Sequence, residues 1–463
     1  MEKQKKIRIV TAASLFDGHD AAINIMRRIM QAQGAEVIHL GHNRSAQEIV
    51  EAAVQEDADA IAITSYQGGH IEFFKYMFDL LKQYECSHIK IFGGGGGTIL
   101  PSEIEELHAY GIAKIYSPDD GRQLGLEGMI ADVIANAASS NAHTDTSFTN
   151  TDWSTANWKA IAQAITAAEN GAFDQVKKSM NGNISGNAVV LGITGTGGAG
   201  KSSVTDEIVR RFLLNYRNKT IAVISVDPSK KKTGGALLGD RIRMNAIFNK
   251  RAYMRSMATR ESDKALSEYV MQAIDVCKAA GFDFIILESA GVGQSDASIL
   301  QFCDVSMYVM TPEYGAASQL EKINMLDYAD VIAINKFDKS GALDALNDVC
   351  KQYKRNHMLF QAQNEELPIV GTVASKFNDA GVNRLFECIV RTIQRKTNAN
   401  WGELQPAAKG TDLTQAIIPA QRTRYLAEIA ETIEQYDEWT DEQSIIAQKL
   451  YQLKGTIDLL GEK

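Results

Sequence analysis

Paired cysteines, an excess of positive charge and long apolar runs are all missing from this sequence of 463 residues. Its five cysteines are scattered with no Cys-x-x-Cys, which gives no zinc signature and fits a reducing cytosol. The net charge of −9 argues against a nucleic-acid surface. No apolar run approaches the ~18 residues of a membrane span, and no apolar signal core follows the basic start. We expect a cytoplasmic protein that binds neither nucleic acid nor membrane.

The length suggests about three domains. Two regions alternate strand-like and helix-like segments, and this pattern predicts two doubly wound parallel sheets, an α/β fold. The first region covers residues 1–137, and a stretch rich in Ser, Thr, Asn and Ala, residues 138–156, is predicted to be a linker. The second region covers residues 157–405, and residues 406–463 form a predicted helical tail. Ligands of such sheets bind at the carboxyl ends of the strands.

The strongest motif is a Gly-x-x-x-x-Gly-Lys-Ser loop between a predicted strand and a predicted helix. Its glycines let the backbone wrap an anion, with N–H groups directed at the β and γ phosphates of a nucleotide. Lys201 is predicted to neutralise phosphate charge, and Ser202 to ligate magnesium. A glycine-rich turn with a chance lysine is the alternative, which the strand–turn–helix context disfavours. The predicted phosphate contacts are Gly195, Gly197, Gly198, Ala199, Gly200, Lys201 and Ser202.

A second motif indicates which base is bound. Asn335, Lys336 and Asp338 form Asn-Lys-x-Asp directly after an apolar strand. In P-loop proteins this aspartate accepts hydrogen bonds from guanine N1 and N2, which adenine does not supply. The tetrapeptide alone is a weak signal, but downstream of a phosphate loop it predicts guanine binding. A later loop with Ser375 and Lys376 resembles the segment that closes over the guanine.

Three acidic residues are candidates for metal-binding and catalytic roles. Asp227 and Glu288 end predicted strands, and Asp240 lies between them in sequence. Each alone would more often be a helix cap or a surface charge. Near a phosphate loop, however, carboxylates suit Mg²⁺, which prefers oxygen ligands. Arg243 is predicted to contact the nucleotide, and the backbone N–H of Gly291 to contact its γ-phosphate.

These segments resemble the G-protein chaperones of cobalamin-dependent mutases. The likeness lies in Asp-Pro-Ser at 227–229, Thr-Gly-Gly at 233–235, Gly-Asp-x-x-Arg-Met at 239–244 and Glu-x-x-Gly-Val-Gly-Gln-Ser at 288–295. The family usually has threonine where this chain has Ser289. Since both residues carry a hydroxyl, the resemblance still implies a role at the magnesium site.

Three loops of the first region are candidates for a second ligand site. Asp17, Gly18 and His19 follow the first predicted strand. An exposed histidine there can be a cobalt ligand, and Asp17 can hold its other ring nitrogen and so fix the tautomer. Alone, Asp-x-His is weak, and a loop histidine beside a carboxylate is the alternative. Residues 65–70 and the glycines 93–97 follow the third and fourth strands at the same sheet edge, and the glycine run leaves room for a bulky group.

Together these loops resemble the cobalamin-binding domain, in which Asp-x-His-x-x-Gly, a serine loop and a Gly-Gly pair house the detached dimethylbenzimidazole tail. The resemblance implies that His19 replaces that tail as the lower cobalt ligand. Ala22 stands where the motif has glycine, and we expect this extra methyl to be tolerated. The implied cofactor contacts are Asp17, Gly18, His19, Ser65, Tyr66, Gln67, Gly93 and Gly94.

The order of these regions resembles the fused isobutyryl-CoA mutases, in which an acyl-CoA-binding barrel follows the helical linker. Residues 229–235 and 310–317 favour this family over a free-standing chaperone. The resemblance implies a flavodoxin-like cobalamin domain, a P-loop G domain, adenosylcobalamin, and GTP with Mg²⁺. It implies GTP hydrolysis that gates cofactor loading and protection, and a barrel that interconverts isobutyryl-CoA and n-butyryl-CoA. A homodimer and an adenosyltransferase partner are further expectations.

We expect this chain to be a truncation or a split subunit that isomerises nothing alone. Two alternatives remain open from the sequence. One is the small subunit of a related mutase that acts on methylmalonyl-CoA or 2-hydroxyisobutyryl-CoA. The other is a stand-alone cobalamin sensor or delivery module. A neighbouring reading frame for a barrel would discriminate between a subunit and a sensor.

Overall fold

Packing divides the chain into two units, Met1–Leu404 and Gln405–Lys463. Both predicted α/β regions lie in the first unit, and the predicted helical tail lies in the second. A computed structural model describes residues 6–139, 148, 151–180, 187–230, 232–259, 268–290, 297–314, 320–397, 399–402, 404 and 425–461.

The first α/β region is a parallel sheet with the strand order β2-β1-β3-β4-β5. Its strands are β1 (Arg8–Ala13), β2 (Glu36–His39), β3 (Ala60–Thr64), β4 (Lys90–Gly94) and β5 (Lys114–Tyr116). Its helices are α1 (Asp20–Ala32), α2 (Ala46–Gln55), α3 (His70–Gln83), α4 (Pro101–Tyr110) and α5 (Pro118–Ala138). The central strands are apolar along nearly their whole length because helices cover both faces. The strand order is that of flavodoxin-like folds, which confirms the prediction.

The second α/β region is a parallel sheet of seven strands in the order β13-β12-β11-β6-β10-β7-β9. The strands are β6 (Val189–Gly195), β7 (Ile221–Asp227), β9 (Ala252–Ala258), β10 (Phe284–Glu288), β11 (Val305–Met310), β12 (Val331–Asn335) and β13 (Ile369–Thr372). Its helices are α8 (Lys201–Asn215), α9 (Glu268–Ala279), α10 (Met325–Tyr328), α11 (Ala342–Asn356) and α12 (Ala380–Lys396). The phosphate loop connects β6, at the centre of this sheet, to α8.

One of the hydrophobic clusters spans both α/β regions. They are connected by α6 (Trp158–Glu169) and α7 (Phe173–Ser179). Helix α6 packs against α2 of the first region and α9 of the second. A continuous buried apolar cluster includes Ile61 in β3, Val50 in α2, Ile161 in α6 and Ile274 in α9. The two sheets are therefore held through a common layer of helices.

One short strand crosses from the second region to the first sheet. Strand β8 (Ala236–Leu238) follows the β7 strand of the second sheet in sequence. It nevertheless pairs in parallel with β2, with Glu36 opposite Ala236 and Ile38 opposite Leu238. This segment of the second region therefore forms one edge of the first sheet.

Buried charges lie where the two regions meet. Arg241 donates from Nε to Glu56 Oε1 (3.1 Å), and Arg255 donates from Nη2 to Glu169 Oε2 (2.6 Å). Arg8 in β1 lies between them, with Nη1 3.7 Å from Glu56 and Nη2 3.2 Å from Glu169. All five side chains are at most 4% exposed. Buried charges are tolerated only when paired, so this cluster specifies how the regions meet.

The second unit contains a single long helix in its described part, α13 (Tyr425–Gly461). It confirms the predicted helical tail. Its large apolar side chains are exposed within this unit, among them Ile433, Leu450 and Ile457. Within the described ranges, no helix combines the length and the apolar character that a membrane span needs.

Replacement of Glu56 by glutamine tests the buried cluster. The variant Glu56→Gln leaves Arg241 facing a neutral amide, so we expect the free energy of unfolding to fall by ~3–5 kcal/mol. Urea denaturation of the full chain, followed by tryptophan fluorescence, measures this change. The matched control is Glu105→Gln at an exposed position on α4, with an expected effect below ~0.5 kcal/mol. Equal effects of the two substitutions would contradict the assignment.

Candidate functional site

The conformation of the phosphate loop depends on Gly200 and Asn335. Gly200 has φ +90°, and a Cβ there would lie 2.5 Å from Asn335 Nδ2, so a side chain is excluded. Asn335 donates from Nδ2 to the carbonyl of Ala199 (2.8 Å) and accepts from the backbone N–H of Ala374 (3.1 Å). The asparagine of the predicted guanine motif therefore ties the phosphate loop to the later guanine loop.

The predicted nucleotide residues are placed around this loop. Lys201 is buried and donates to the carbonyls of Gly195 (3.3 Å) and Thr196 (3.4 Å). Lys336 has a left-handed backbone, with φ +58°, a strained conformation of the kind found at functional sites. The other predicted base contacts, Asp338, Ser375 and Lys376, are exposed.

Two carboxylates and a hydroxyl converge beside the phosphate loop. Ser202 Oγ lies 2.8 Å from Asp240 Oδ1 and 2.9 Å from Glu288 Oε1. The other Glu288 oxygen accepts from the Thr205 hydroxyl (2.9 Å), and the other Asp240 oxygen accepts from Ser225 (2.5 Å). Thr205 and Ser225 were not identified from the sequence. Thr205 lies one helical turn after Ser202, and Ser225 lies two residues before Asp227. This proximity to motif residues is the only signal that the sequence offers for them.

The charge environment of Asp227 and Glu288 favours a bound cation. Burial, together with the charge of Asp240, raises the pKa of Asp227 to about 7 and that of Glu288 to about 8. Within the described part of the chain, no three His, Cys, Asp or Glu side chains form a metal site by themselves. The donor set of two carboxylates and a serine fits Mg²⁺, which commonly completes its shell with phosphate and water oxygens.

For three other predicted residues of this site the structure shows no contact that establishes the predicted role. The hydroxyl of Ser289 donates to Thr194 Oγ1 (2.8 Å) in strand β6. Arg243 is 63% exposed, with Nη1 4.0 Å from Asp240 Oδ1. Gly291 lies outside the described residues. The predicted roles of all three therefore stay predictions.

The histidine loop of the first sheet is organised by Asp17. This carboxylate is buried, and its Oδ1 lies 2.9 Å from both the backbone nitrogen and Nδ1 of His19. Its Oδ2 accepts from the backbone N–H of Tyr66 (2.8 Å). Burial alone would raise the pKa of Asp17, but these hydrogen bonds lower it, so the carboxylate is charged. His19 is 74% exposed, and with Nδ1 facing Asp17 it is Nε2 that can face a ligand.

Beside this loop a cavity of about 200 Å³ opens between the sheet and helices α1 and α5. Gly93 and Gly94 line it, as predicted from the glycine run, and Tyr66 lies at its wall. A Cβ on Gly95 would lie 1.9 Å from the carbonyl oxygen of Ser65, so this glycine allows two loops to approach closely. The remaining predicted contacts, Gly18 and Gln67, lie in the adjoining loops.

Thr64 lines the cavity and was missed in the sequence analysis. Its hydroxyl is buried and has no hydrogen-bond partner, and the side chain is 3% exposed. The predicted Ser65 instead accepts from the Ser14 hydroxyl (3.0 Å). Side chains alternate across a strand, so adjacent residues face opposite sides. That alternation was the signal that could have identified Thr64.

His70 lies at the end of the predicted loop 65–70 but was not among the predicted contact residues. It is buried at the start of α3, with Nδ1 3.2 Å from the carbonyl of Gln67 and Nε2 3.0 Å from Glu103 Oε2. Glu103 also accepts from the backbone N–H of Leu100 (2.7 Å). The pair therefore connects the loop after β3 to the segment after β4. His70 and Glu103 lie 33 positions apart, so spacing alone gives little indication of their contact.

Comparison with known proteins supports the two domains. The model of the methylmalonyl-CoA mutase-associated GTPase MeaB matches residues 161–453, and the B12-binding domain model matches residues 7–119. A fused isobutyryl-CoA mutase of Geobacillus kaustophilus is 53% identical over 99% of this chain and 43% of its own length. Another from Cupriavidus metallidurans is 53% identical over 98% of this chain and 42% of its own length. The chain thus spans less than half the length of these relatives.

The fold and the two sites define a P-loop GTPase-type domain joined to a B12-binding domain. The chain belongs to the MeaB family of mutase-associated GTPases, and it is similar along nearly its whole length to fused isobutyryl-CoA mutases. The resemblance identified in the sequence is thereby confirmed.

The raised carboxyl pKa values predict a pH dependence of stability without a bound cation. The unfolded chain releases these protons near the ordinary values of 3.8 for Asp and 4.5 for Glu, whereas the folded protein keeps them to about 7 at Asp227 and about 8 at Glu288. The folded state binds more protons between these limits, so stability falls as the pH rises through them.

Thermal unfolding in EDTA across this pH range measures the effect. Asp240→Asn removes the neighbouring negative charge, so we expect the fall in stability to shrink, while the exposed control Asp344→Asn should leave it unchanged. Mg²⁺ with GDP should also flatten the profile, because the cation favours the charged carboxylates. Identical profiles for Asp240→Asn and the unmodified chain would contradict the electrostatic assignment.

Proposed function

We propose that this chain hydrolyses GTP with Mg²⁺ and holds adenosylcobalamin for a radical acyl-CoA mutase. The observation that carries the proposal is the presence of two separate ligand sites on one packed unit. One is the phosphate loop tied to the guanine loop by Asn335, and the other is the Asp17-held His19 beside an apolar cavity. Neither site alone would indicate a mutase chaperone.

For GTP hydrolysis, the residues of this chain would bind and orient the nucleotide. Ser202, Asp240 and Glu288 would hold Mg²⁺, which neutralises phosphate charge when bound. Lys201 would exchange its contacts with loop carbonyls for phosphate oxygens. Asp338 is exposed at the guanine motif and would accept hydrogen bonds from guanine N1 and N2.

For cobalamin, His19 Nε2 would supply the lower nitrogen ligand to cobalt, and Asp17 would fix the direction of the ring. The detached tail of the cofactor would enter the cavity lined by Thr64, Gly93 and Gly94. Cobalt in the bound cofactor would supply the radical chemistry of the mutase.

The isomerase reaction requires a part that these residues do not include. The matched relatives are fused isobutyryl-CoA mutases more than twice as long as the match. We extend the proposal to a barrel partner that interconverts isobutyryl-CoA and n-butyryl-CoA, with GTP hydrolysis gating cofactor loading. A homodimer and an adenosyltransferase partner belong to the same proposal. Co-purification with a candidate barrel, followed by isomerase assays on several acyl-CoAs, tests this extension.

Guanine specificity is tested at Asp338. Asp338→Asn removes the charged acceptor for two hydrogen bonds, so we expect GTP affinity to fall by at least ~100-fold. Calorimetry with GTP and ATP measures this, and Asp344→Asn on α11 is the control for an exposed aspartate. If ATP bound the unmodified chain as tightly as GTP, the base assignment would be wrong.

Cobalt ligation is tested at His19. Bound cob(II)alamin should be base-off, and its electron paramagnetic resonance spectrum should show a nitrogen splitting that changes with ¹⁵N-histidine labelling. In His19→Ala the histidine splitting should disappear. Lys201→Ala is the control, because it should abolish GTP hydrolysis and leave the cobalamin spectrum intact. A spectrum of the unmodified chain that is insensitive to the label would rule out His19.

A further inference from the structure

One side chain next to the histidine loop combines a disfavoured backbone conformation with unusual exposure. Phe16 lies in the turn between β1 and Asp17, and its φ of +64° is in the left-handed region. Glycine and asparagine adopt this conformation readily, but for a bulky side chain it is an outlier. The ring is also 76% exposed, although it is large and apolar. Two unfavourable features of the free chain therefore occur at one residue.

Hydrogen bonds of the neighbouring loops hold Phe16 in this conformation. The backbone N–H of Asp17 donates to the carbonyl of Ser14 (3.1 Å), which closes a tight turn around Phe16. The backbone N–H of Phe16 donates to Asn43 Oδ1 (2.9 Å), in the loop after β2. Asp17 in turn accepts from the backbone N–H of His19 (2.9 Å). A strained residue persists only where its surroundings fix it in this way, and such residues cluster at functional sites.

The sheet order places Phe16 and Tyr66 toward opposite sides of His19. Strand β1 lies between β2 and β3, so the loop that contains His19 lies between the loops that follow those two strands. Phe16 is hydrogen-bonded to the loop after β2, whereas Tyr66 follows β3 and its ring centroid lies 5.4 Å from that of His19. With Nδ1 of His19 facing Asp17, Nε2 is the nitrogen that can face a ligand. A ligand wider than an imidazole that binds there extends toward the neighbours on both sides.

Resting on the proposed cobalamin site, we infer that the Phe16 ring packs against the corrin ring and shields the bond between His19 and cobalt from water. A corrin is far wider than an imidazole and presents ring carbons and methyl groups to the protein. Contact with it removes the exposed Phe16 ring from water, which favours the bound state. The strained backbone holds the ring in place before the ligand arrives.

The position of Phe16 favours the cofactor over a second protein as the group that covers the ring. Only two residues separate Phe16 from His19, so their Cα atoms are at most ~11 Å apart. The turn that forces the left-handed backbone is also the turn that presents Asp17 to His19. A surface for another protein would need no such connection to the histidine. The ring and the histidine therefore serve the same ligand.

The substitution Phe16→Asn separates this role from a structural one, because stability and affinity should change in opposite senses. Asparagine tolerates the left-handed backbone, so the thermal midpoint of the free chain should rise by about 1–3 °C. The corrin loses its aromatic contact, so affinity for adenosylcobalamin should fall about tenfold, the effect of uncovering about a third of a phenylalanine side chain. Thermal unfolding of the full chain and titration followed by absorbance measure the two changes.

Spectroscopy tests the shielding of the cobalt–nitrogen bond directly. Bound cob(II)alamin in D₂O is measured by pulsed electron paramagnetic resonance, which detects deuterium near cobalt. In Phe16→Asn the deuterium signal should grow because water reaches the bond, while the histidine nitrogen signal should remain. A residue that only supports the fold would not change the first signal while the second is kept. An unchanged deuterium signal would therefore contradict the shielding.

Two further substitutions serve as controls. Phe16→Tyr keeps the ring and the strain, so affinity should stay within about twofold and the thermal midpoint within about 1 °C. Phe360→Asn makes the same chemical change in the second region, at a residue that is 68% exposed and whose φ lies outside the left-handed region. It should neither raise the thermal midpoint nor alter the affinity for cobalamin.

The outcomes distinguish this inference from the proposed function. If the unmodified chain bound cobalamin through His19 and Phe16→Asn bound it equally well, the inference would be wrong and the proposed function would stand. A lower thermal midpoint together with weaker binding would make Phe16 a structural residue and would also overturn the inference. If the unmodified chain bound no cobalamin, both the inference and the cobalamin part of the proposed function would fail.

Discussion

The structure of the first unit depends on the buried carboxylate of Glu56. This residue caps the end of α2 and accepts from Arg241 Nε and from the backbone N–H and hydroxyl of Ser256. Arg8 in the first strand lies 3.7 Å away. Each of these groups would be costly to bury without its partner. Another packing of the two sheets would leave some of these charges buried without their partners. The regions therefore pack in one defined way.

This constraint reaches the nucleotide site through adjacent residues. Asp240, next in sequence to Arg241, lies 2.8 Å from Ser202 of the phosphate loop. Strand β8, just before them, pairs with β2 of the first sheet, and the carbonyl of Ile242 accepts from Arg44. The segment that carries a predicted magnesium ligand is therefore anchored in the region that holds His19. This arrangement supplies the physical contact that the proposed gating requires.

Much of this molecule was predictable from its sequence, for physical reasons. The phosphate loop, the guanine motif and the Asp17–His19 pair are short-range patterns whose chemistry depends on spacing. The buried ion pairs were not predictable, because Arg241 and Glu56 are charged residues that are normally exposed and lie 185 positions apart. Strand β8 was missed because three residues give too little periodicity to indicate a strand.

The choice between Thr64 and Ser65 shows how a motif can identify a loop without identifying its atoms. Both residues have hydroxyls at the end of β3, and only their direction separates them. Asp17 accepts from the backbone of Tyr66, which fixes this loop against the histidine loop. Ser65 accepts from the Ser14 hydroxyl, whereas Thr64 lines the cavity. The carboxylate that orients the predicted cobalt ligand thus also positions the loop that follows β3.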